Sequence, residues 1–432
     1  RIISSLSNYK DNQVWVANEK GLWLYDTISK TQEGPFTSNG AFASSEDTND
    51  KLLSVFYHTK SDALWVTTRT GLAKLNPQTR NLEFVALNGK SGYSINIDDD
   101  GDIWYGGYSD GLFVYRPSED RVIKQWPLSL TTRIVLDDNE NAWLSTVSGL
   151  FVANKLTGDL TSVSEFTDKI SDQTVVTWIS QSKRGGYWVG TQAAGLFFMS
   201  KEGSDLSTIK VTQIKPESRL SNVSIGAIVE DDEYGLWIST IKGIAYLAPD
   251  LSTLSYFGAE NGALSTGYYI GSVTVTENNT IMFGGAEGVT QFTPSQVANV
   301  QWSPEVHLTN VETVSRNEQN GTTYQQRQRL DEVIELKDND IALTIEFAAT
   351  DYMNANELRY AYKLADFENS WRFTDYKTRT ATYTNLDPGR YRFTVKAINQ
   401  ENEWSTNAAQ LEIVVVPPWW DKPIWRVAIT LL

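Results

Sequence analysis

One unit recurs seven times along the first part of the chain: a turn of Asp, Asn or Gly, an apolar residue, Trp, a short alternating run, then Gly with an apolar partner and a second run. The copies read DNQVWVANEKGLWLYD, SDALWVTTRTGLAKLN, DGDIWYGGYSDGLFVY, NENAWLSTVSGLFVAN, RGGYWVGTQAAGLFFM, EYGLWISTIKGIAYLA and NNTIMFGGAEGVTQFT. The anchors are Trp15, Trp65, Trp104, Trp143, Trp188, Trp237 and, in the last copy, Met282; the partner glycines are Gly21, Gly71, Gly111, Gly149, Gly195, Gly243 and Gly288. Successive anchors lie 39 to 50 residues apart. A period of this size, with period-2 alternation inside each unit, predicts propeller blades of four short antiparallel strands. The innermost strand precedes the Asp/Gly turn, as in VSIGAIVEDD and TVVTWISQS; the Trp strand is second, the Gly strand third, and a variable run such as LEFVAL fourth. The turn residues supply left-handed backbone for a tight hairpin. The partner glycine leaves room for a close approach or a bulge, and each indole is expected to wedge between neighbouring blades. Residues 1–300 are therefore expected to form a seven-bladed β-propeller. The strand that opens at Arg1 is already an inner one. No N-terminal strand is left to complete the outer edge of the last blade, so either residues precede Arg1 or the ring closes in another way.

From about Trp302 the period changes. DIALTIEFAA alternates Ile341, Leu343, Ile345 and Phe347; RYRFTVKAIN places Tyr391, Phe393, Val395 and Ala397 on one face. NEQNG, KDND, LDPG and NQENE punctuate these runs. Some seven short strands over residues 301–417 predict an immunoglobulin- or fibronectin-III-like β-sandwich. Leu386-Asp-Pro-Gly-Arg-Tyr391 reads as a tyrosine corner, whose hydroxyl bonds an upstream backbone group. Residues 418–432 (PWWDKPIWRVAITLL) gather Trp419, Trp420 and Trp425 beside an apolar run. Trp favours the membrane–water interface, so this segment is expected to be juxtamembrane sequence and the start of a transmembrane helix. Arg1 opens directly into strand-like sequence, so the chain is expected to begin after processing or inside a longer protein.

Composition narrows the function classes. A net charge of −16 argues against nucleic-acid binding, which needs a basic face. The absence of cysteine excludes a disulfide framework, a thiol nucleophile and thiolate metal sites. The two histidines, His58 and His307, have no metal-ligand spacing. Asn96, Asp98, Asp100 and Gly101 look like half a calcium loop, but the twelfth position is Gly107 rather than a bidentate Glu, so they are read as a hairpin turn. No metal, no cofactor and no catalytic residue is expected.

The repeats resemble the two-component regulator propeller repeats of bacterial sensors. ENGALSTGYYIGSVTV with IMFGGAEGVTQFTP is similar to that family's last-blade signature, where Phe-Gly-Gly replaces the Trp strand. The second domain resembles the Ig-like domain named for three tyrosines, on IEFAATDY, YAYKL, ENSW, ATYTNLDPGRYRFTVKA and PPWW. The resemblance implies the ligand-sensing region of a transmembrane receptor at the periplasmic face of the inner membrane. It further implies an oligosaccharide or related small-molecule ligand, homodimerisation through the sandwich, and a cytoplasmic output that is a histidine kinase, often a hybrid, or a diguanylate cyclase. Members commonly carry two propellers, and this chain has one.

In a propeller the loops between second and third strands share a face with the connections between blades. Glu19, Lys20, Arg69, Tyr108, Asp110, Gln192, Lys242 and Glu287 occupy those loops, and Tyr268 and Tyr269 come from an insertion in the last blade. Mixed polar, charged and aromatic side chains suit a sugar, so these ten are the candidate ligand-binding residues. Two other classes stand beside this reading: a constitutive protein-binding scaffold, and a polysaccharide-active propeller enzyme. The Ser-x-Asp-x-Gly-x-Thr-Trp order of sialidase propellers is met in no copy.

Overall fold

The computed structural model describes residues 2–37, 51–137, 141–170, 174–200, 208–214, 220–221, 223–251, 254–297, 305–317, 319, 321–329, 333–350, 358–398, 404–405 and 407–418. The chain divides into two units, Arg1–Ala298 and Asn299–Leu432.

The first unit is built by the Asp-turn-Trp signal. In the third, fourth and sixth copies an Asp stands six residues before the anchor. Its Oδ1 accepts turn amides: Asp98 from Asp100 and Asp102 (3.1 and 2.9 Å), Asp137 from Asn141 (3.1 Å), Asp231 from Glu233 and Gly235 (2.9 and 2.7 Å). Its Oδ2 accepts the indole N–H of Trp104, Trp143 or Trp237 (3.1, 3.0 and 2.9 Å). One carboxylate thus closes the first hairpin and satisfies an indole that would otherwise be buried with an unmet donor. In the fifth copy Ser182 takes the Asp position, and the Trp188 indole donates to Glu230 of the next blade (3.1 Å).

Seven antiparallel sheets result, the first six of four strands in sequential order and the seventh of three. The innermost strands are Ile3–Asn8, Leu52–His58, Gly92–Ile97, Thr131–Leu136, Val176–Gln181, Ile225–Glu230 and Tyr268–Val275. The anchors are all buried, and each packs in a cluster shared with the following blade, Trp15 against Leu52 and Val55, Trp143 against Val176 and Ile179. Small hydroxyls tie neighbouring innermost strands: Ser94 donates to the Thr131 carbonyl (2.7 Å), Thr132 to that of Val176 (2.8 Å), and Ser5 accepts the Val55 amide (3.1 Å). The partner glycines have positive φ, from +80° to +153°. At Gly111 and Gly243 an added Cβ would sit 2.6 and 2.5 Å from the carbonyls of Trp126 and Phe257 on the fourth strand, so a side chain is excluded by contact as well as by dihedral.

The seventh sheet shows how the ring closes. Its described strands are Tyr268–Val275, Ile281–Gly285 and Val289–Phe292, and no strand of the first blade is added to them. Among the described residues the seventh and first blades meet by packing. Met282 joins Ile3, Leu6, Val14 and Val16 in one cluster. Ser272 donates to the Ile3 carbonyl (3.1 Å), and Gln291 bridges to Tyr25 (3.3 Å) and to the Thr27 carbonyl (3.0 Å).

The second unit is a sandwich of a four-stranded and a five-stranded sheet. Among the described residues there are nine strands, more than the seven the turn signals suggest. Ile334–Leu336 and Arg372–Asp375, of three and four residues, are too short to show an alternation. Leu343, Ile345 and Phe347 face Phe393, Val395 and Ala397 in the core, whereas Ile341 at the strand start is 43% exposed. The Tyr391 hydroxyl donates to the Asp387 carbonyl (2.9 Å), which makes the tyrosine corner. Among the described residues no helix is long and apolar enough to cross a membrane. Residues 419–432, on which the expectation of a membrane helix rests, lie outside the described residues.

Candidate ligand-binding face

The loops between second and third strands are held by a residue the repeat pattern left unremarked. Thr68, Thr146, Thr191 and Thr240 each end a second strand, donate to the carbonyl of the partner glycine (2.8 to 3.1 Å) and accept an amide of the loop. Asn18 accepts the Lys20 amide in the same way (2.8 Å). Thr or Asn three or four residues before the glycine is the sequence signal for them. With their backbone bonded internally, these tips present their remaining side chains outward.

Glu19, Lys20, Arg69, Gln192, Lys242 and Glu287 are exposed at these tips, and Tyr108 and Tyr269 are 56% and 39% exposed. The tips lie against the connections between blades. The Tyr108 amide donates to the Ser91 carbonyl, Leu130 to that of Tyr108, and Gln192 to that of Val175 (2.8, 2.8 and 2.9 Å). Glu287 accepts the Ser265 hydroxyl (3.0 Å). Tyr268 departs from the expectation. It is buried, its ring packs edge-on to Phe283, its hydroxyl accepts the Leu264 amide (3.0 Å) and it shares a hydrogen bond with Thr290 (2.6 Å). Successive strand residues point to opposite faces, so Tyr269 is outward and Tyr268 is a core residue.

Asp110 lines a cleft. This opening of about 370 Å³ is bordered by Ser109, Asp110, Gly111, Gln125, Pro127 and Ser129, between the loop of the third blade and the connection to the fourth. Small-molecule sites span about 300–1,000 Å³, so the cleft fits one or two sugar-sized rings. Lys90 donates to the Asp110 carboxylate (3.1 Å) and fixes its direction. Beneath it the buried Tyr105 hydroxyl donates to the Lys90 carbonyl (2.7 Å). Burial, and next the Asp110 charge, push that phenol above its ordinary pKa, so it remains a donor. Nothing in the run Gln125 to Ser129 announces a ligand contact; the cleft exists because the connection folds back, with Leu128 buried and Leu130 in left-handed backbone.

The acidic turn of the third blade has a different role. Asp98, Asp100 and Asp102 bring carboxylate oxygens within 4.8 Å of one another. The Lys155 ammonium, reaching from the fourth blade, lies 2.8, 2.7 and 3.2 Å from them. Arg116 makes a second contact to Asp102 through two nitrogens (2.8 and 2.7 Å). A lysine thus provides the positive charge that such a triad requires, and the group acts as a tie between blades.

A propeller followed by a sandwich is a fold this chain shares with solved extracellular domains of other proteins. Residues 351–416 match the Y_Y_Y domain. Histidine kinase P4 of Formosa agariphila is 25% identical over 97% of this chain and 32% of its own length. The extracellular domain assigned to a hybrid two component system, BT3049 of B. thetaiotaomicron, is similar in structure with a TM-score of 0.77 at 22% identity, over 96% of this chain and 56% of that one. The extracellular domain of BT4673 from the same organism gives 0.55 at 18% identity, over 97% and 57%. The chain therefore spans about a third of the curated relative and little more than half of these solved domains.

Proposed function

We propose that this chain is the ligand-sensing region of a transmembrane receptor at the periplasmic face of the inner membrane. The ligand is an oligosaccharide or a related small molecule, and the output is a histidine kinase. The cleft beside Asp110 carries the ligand reading. Two hydroxyls, a carboxamide and an oriented carboxylate converge there next to the exposed Tyr108 ring. Hydroxyl-rich rings are recognised by such hydrogen-bonding groups together with aromatic stacking. The sensor architecture and the likeness to a histidine kinase support the rest.

Coupling runs through the sandwich. Its last strand, Ala409–Val415, leads into Pro417 and Pro418, a stiff exit that transmits a shift better than a flexible linker. Ligand biases a homodimer formed through the sandwich by its differential affinity for two arrangements.

Calorimetric titration of this chain with a panel of neutral and acidic oligosaccharides tests the site. A binder whose affinity drops about 10- to 100-fold in Asp110→Ala, the loss expected for a charge-assisted hydrogen bond, supports it. Binding untouched by Asp110→Ala and Tyr108→Ala would move the site elsewhere. For the dimer, Glu412→Cys in the full receptor, with cysteines outside this chain replaced, is the reporter, since this chain itself has none. A cross-link in membranes is expected, and its absence with and without ligand refutes sandwich dimerisation.

A further inference from the structure

Every blade from the first to the sixth has an irregularity near the start of its innermost strand, and the residue after it occupies one shared register. Ser5, Ser54, Ser94 and Ala227 hold that register in the first, second, third and sixth blades, paired with Ala17, Thr67, Gly106 and Ser239. In the fourth and fifth blades it is held by Arg133 and Trp178, paired with Ser145 and Gly190. Two adjacent blades therefore replace a small residue with the largest cation and the largest ring.

The two side chains meet. The Arg133 guanidinium lies 4.4 Å from the centre of a Trp178 ring. Arg133 has no carboxylate partner and no hydrogen-bond acceptor among the described residues, and its Nε is enclosed without one. The Trp178 Nε1 and the hydroxyls of Thr131 and Thr177, on the same two strands, are also enclosed and unpartnered. Lys155, a cation buried elsewhere in the propeller, is by contrast surrounded by three carboxylates. Burial pushes the Arg133 pKa down to about 10, which leaves it charged at neutral pH. The residue nevertheless keeps some solvent access. A stacked guanidinium offers its edge nitrogens as a fork that matches an oxyanion bidentately.

We infer that Arg133, seated on Trp178, is the anchor of a second ligand site at the centre of the propeller, and that it binds the oxyanion group, carboxylate or sulfate, of a small ligand. The site is independent of the cleft at Asp110. It places a local positive point inside a chain of net charge −16, which makes it selective for ligands that the outer surface would repel.

Isothermal titration of this chain with glucuronate, sulfate and glucose tests it. Saturable binding of glucuronate or sulfate that glucose does not displace is expected, and comparison of the two anions identifies the group preferred. Arg133→Met should abolish that binding while keeping the β-sheet circular dichroism and a cooperative melt. Arg133→Lys, which keeps the charge and loses the fork, should weaken it about 10-fold, the cost of about 1.4 kcal/mol, and stands in if the methionine variant fails to fold. Asp110→Ala should leave it unchanged. Binding of neither anion, displacement of the bound anion by glucose, or undiminished binding in both Arg133 variants overturns the inference.

Discussion

Replacing Lys155 by methionine removes one ammonium from three carboxylates at nearly constant volume. The Lys155 side chain is 5% exposed, Asp102 is 1% exposed and Asp98 13%. Asp100, at 65%, is screened by water and contributes little. The loss falls on Asp98 and Asp102, of which Asp102 keeps Arg116. Removing one partner of a buried ion pair costs about 3–5 kcal/mol, because the remaining charge is left uncompensated. For a unit of 298 residues unfolding with about 2 cal/mol/K per residue, a loss of 4 kcal/mol lowers the midpoint by about 6 °C. Differential scanning calorimetry of Lys155→Met against wild type measures it. The pH dependence adds a second check. Burial raises the Asp102 pKa, but hydrogen bonds from Arg116 and Lys155 outweigh it and hold the carboxyl below its usual range. A depressed folded pKa gives stability that is complete above the unfolded value of about 3.9 and is lost as pH falls through the folded one. The gap between variant and wild type should therefore be full at neutral pH and narrow below about pH 4. A variant that melts with wild type at pH 7, or a gap that widens in acid, refutes the reasoning.

Three further outcomes are expected. Asp231→Ala leaves the Trp237 indole and two turn amides without their acceptor and should cost about 1–3 kcal/mol in urea unfolding followed by tryptophan fluorescence. Gly284→Val places a side chain against Ser272 and within 2.8 Å of Ile3; it should loosen ring closure by about 1–3 kcal/mol and expose the first strand to limited proteolysis, while the same change at Gly389 in the sandwich, where the nearest atoms are 3.8 Å away, should leave the first strand protected. Tyr391→Phe removes the corner hydrogen bond and should destabilise the sandwich transition by about 1 kcal/mol in calorimetry, leaving the propeller transition in place.

The blade plan was readable because its signals are short. An Asp, Asn or Gly turn just before a Trp, or a glycine six or seven after it, reports a hairpin whose partners are neighbours in sequence, and the tyrosine corner spans four residues. Tyr268 was misread for a related reason: adjacent strand residues differ only in facing, and an irregular register between Tyr268 and Val273 hides which one turns inward. The nine strands among the described residues of the sandwich exceed the seven expected because three- and four-residue edges carry no periodicity.

Composition and local period were enough to specify an all-β chain of seven units, six anchored by Trp and the last by Met282, and a sandwich, since hydrophobic alternation and turn chemistry act over a few residues. What depended on the folded ring were the contacts that link distant positions: Lys155 with Asp98, 57 residues apart, and Ser272 with Ile3, 269 apart. The cleft at Asp110 and the stack of Arg133 on Trp178 belong to the same group. Their partners are chosen by the curvature of a closed circle of sheets, a geometry that no window of sequence contains.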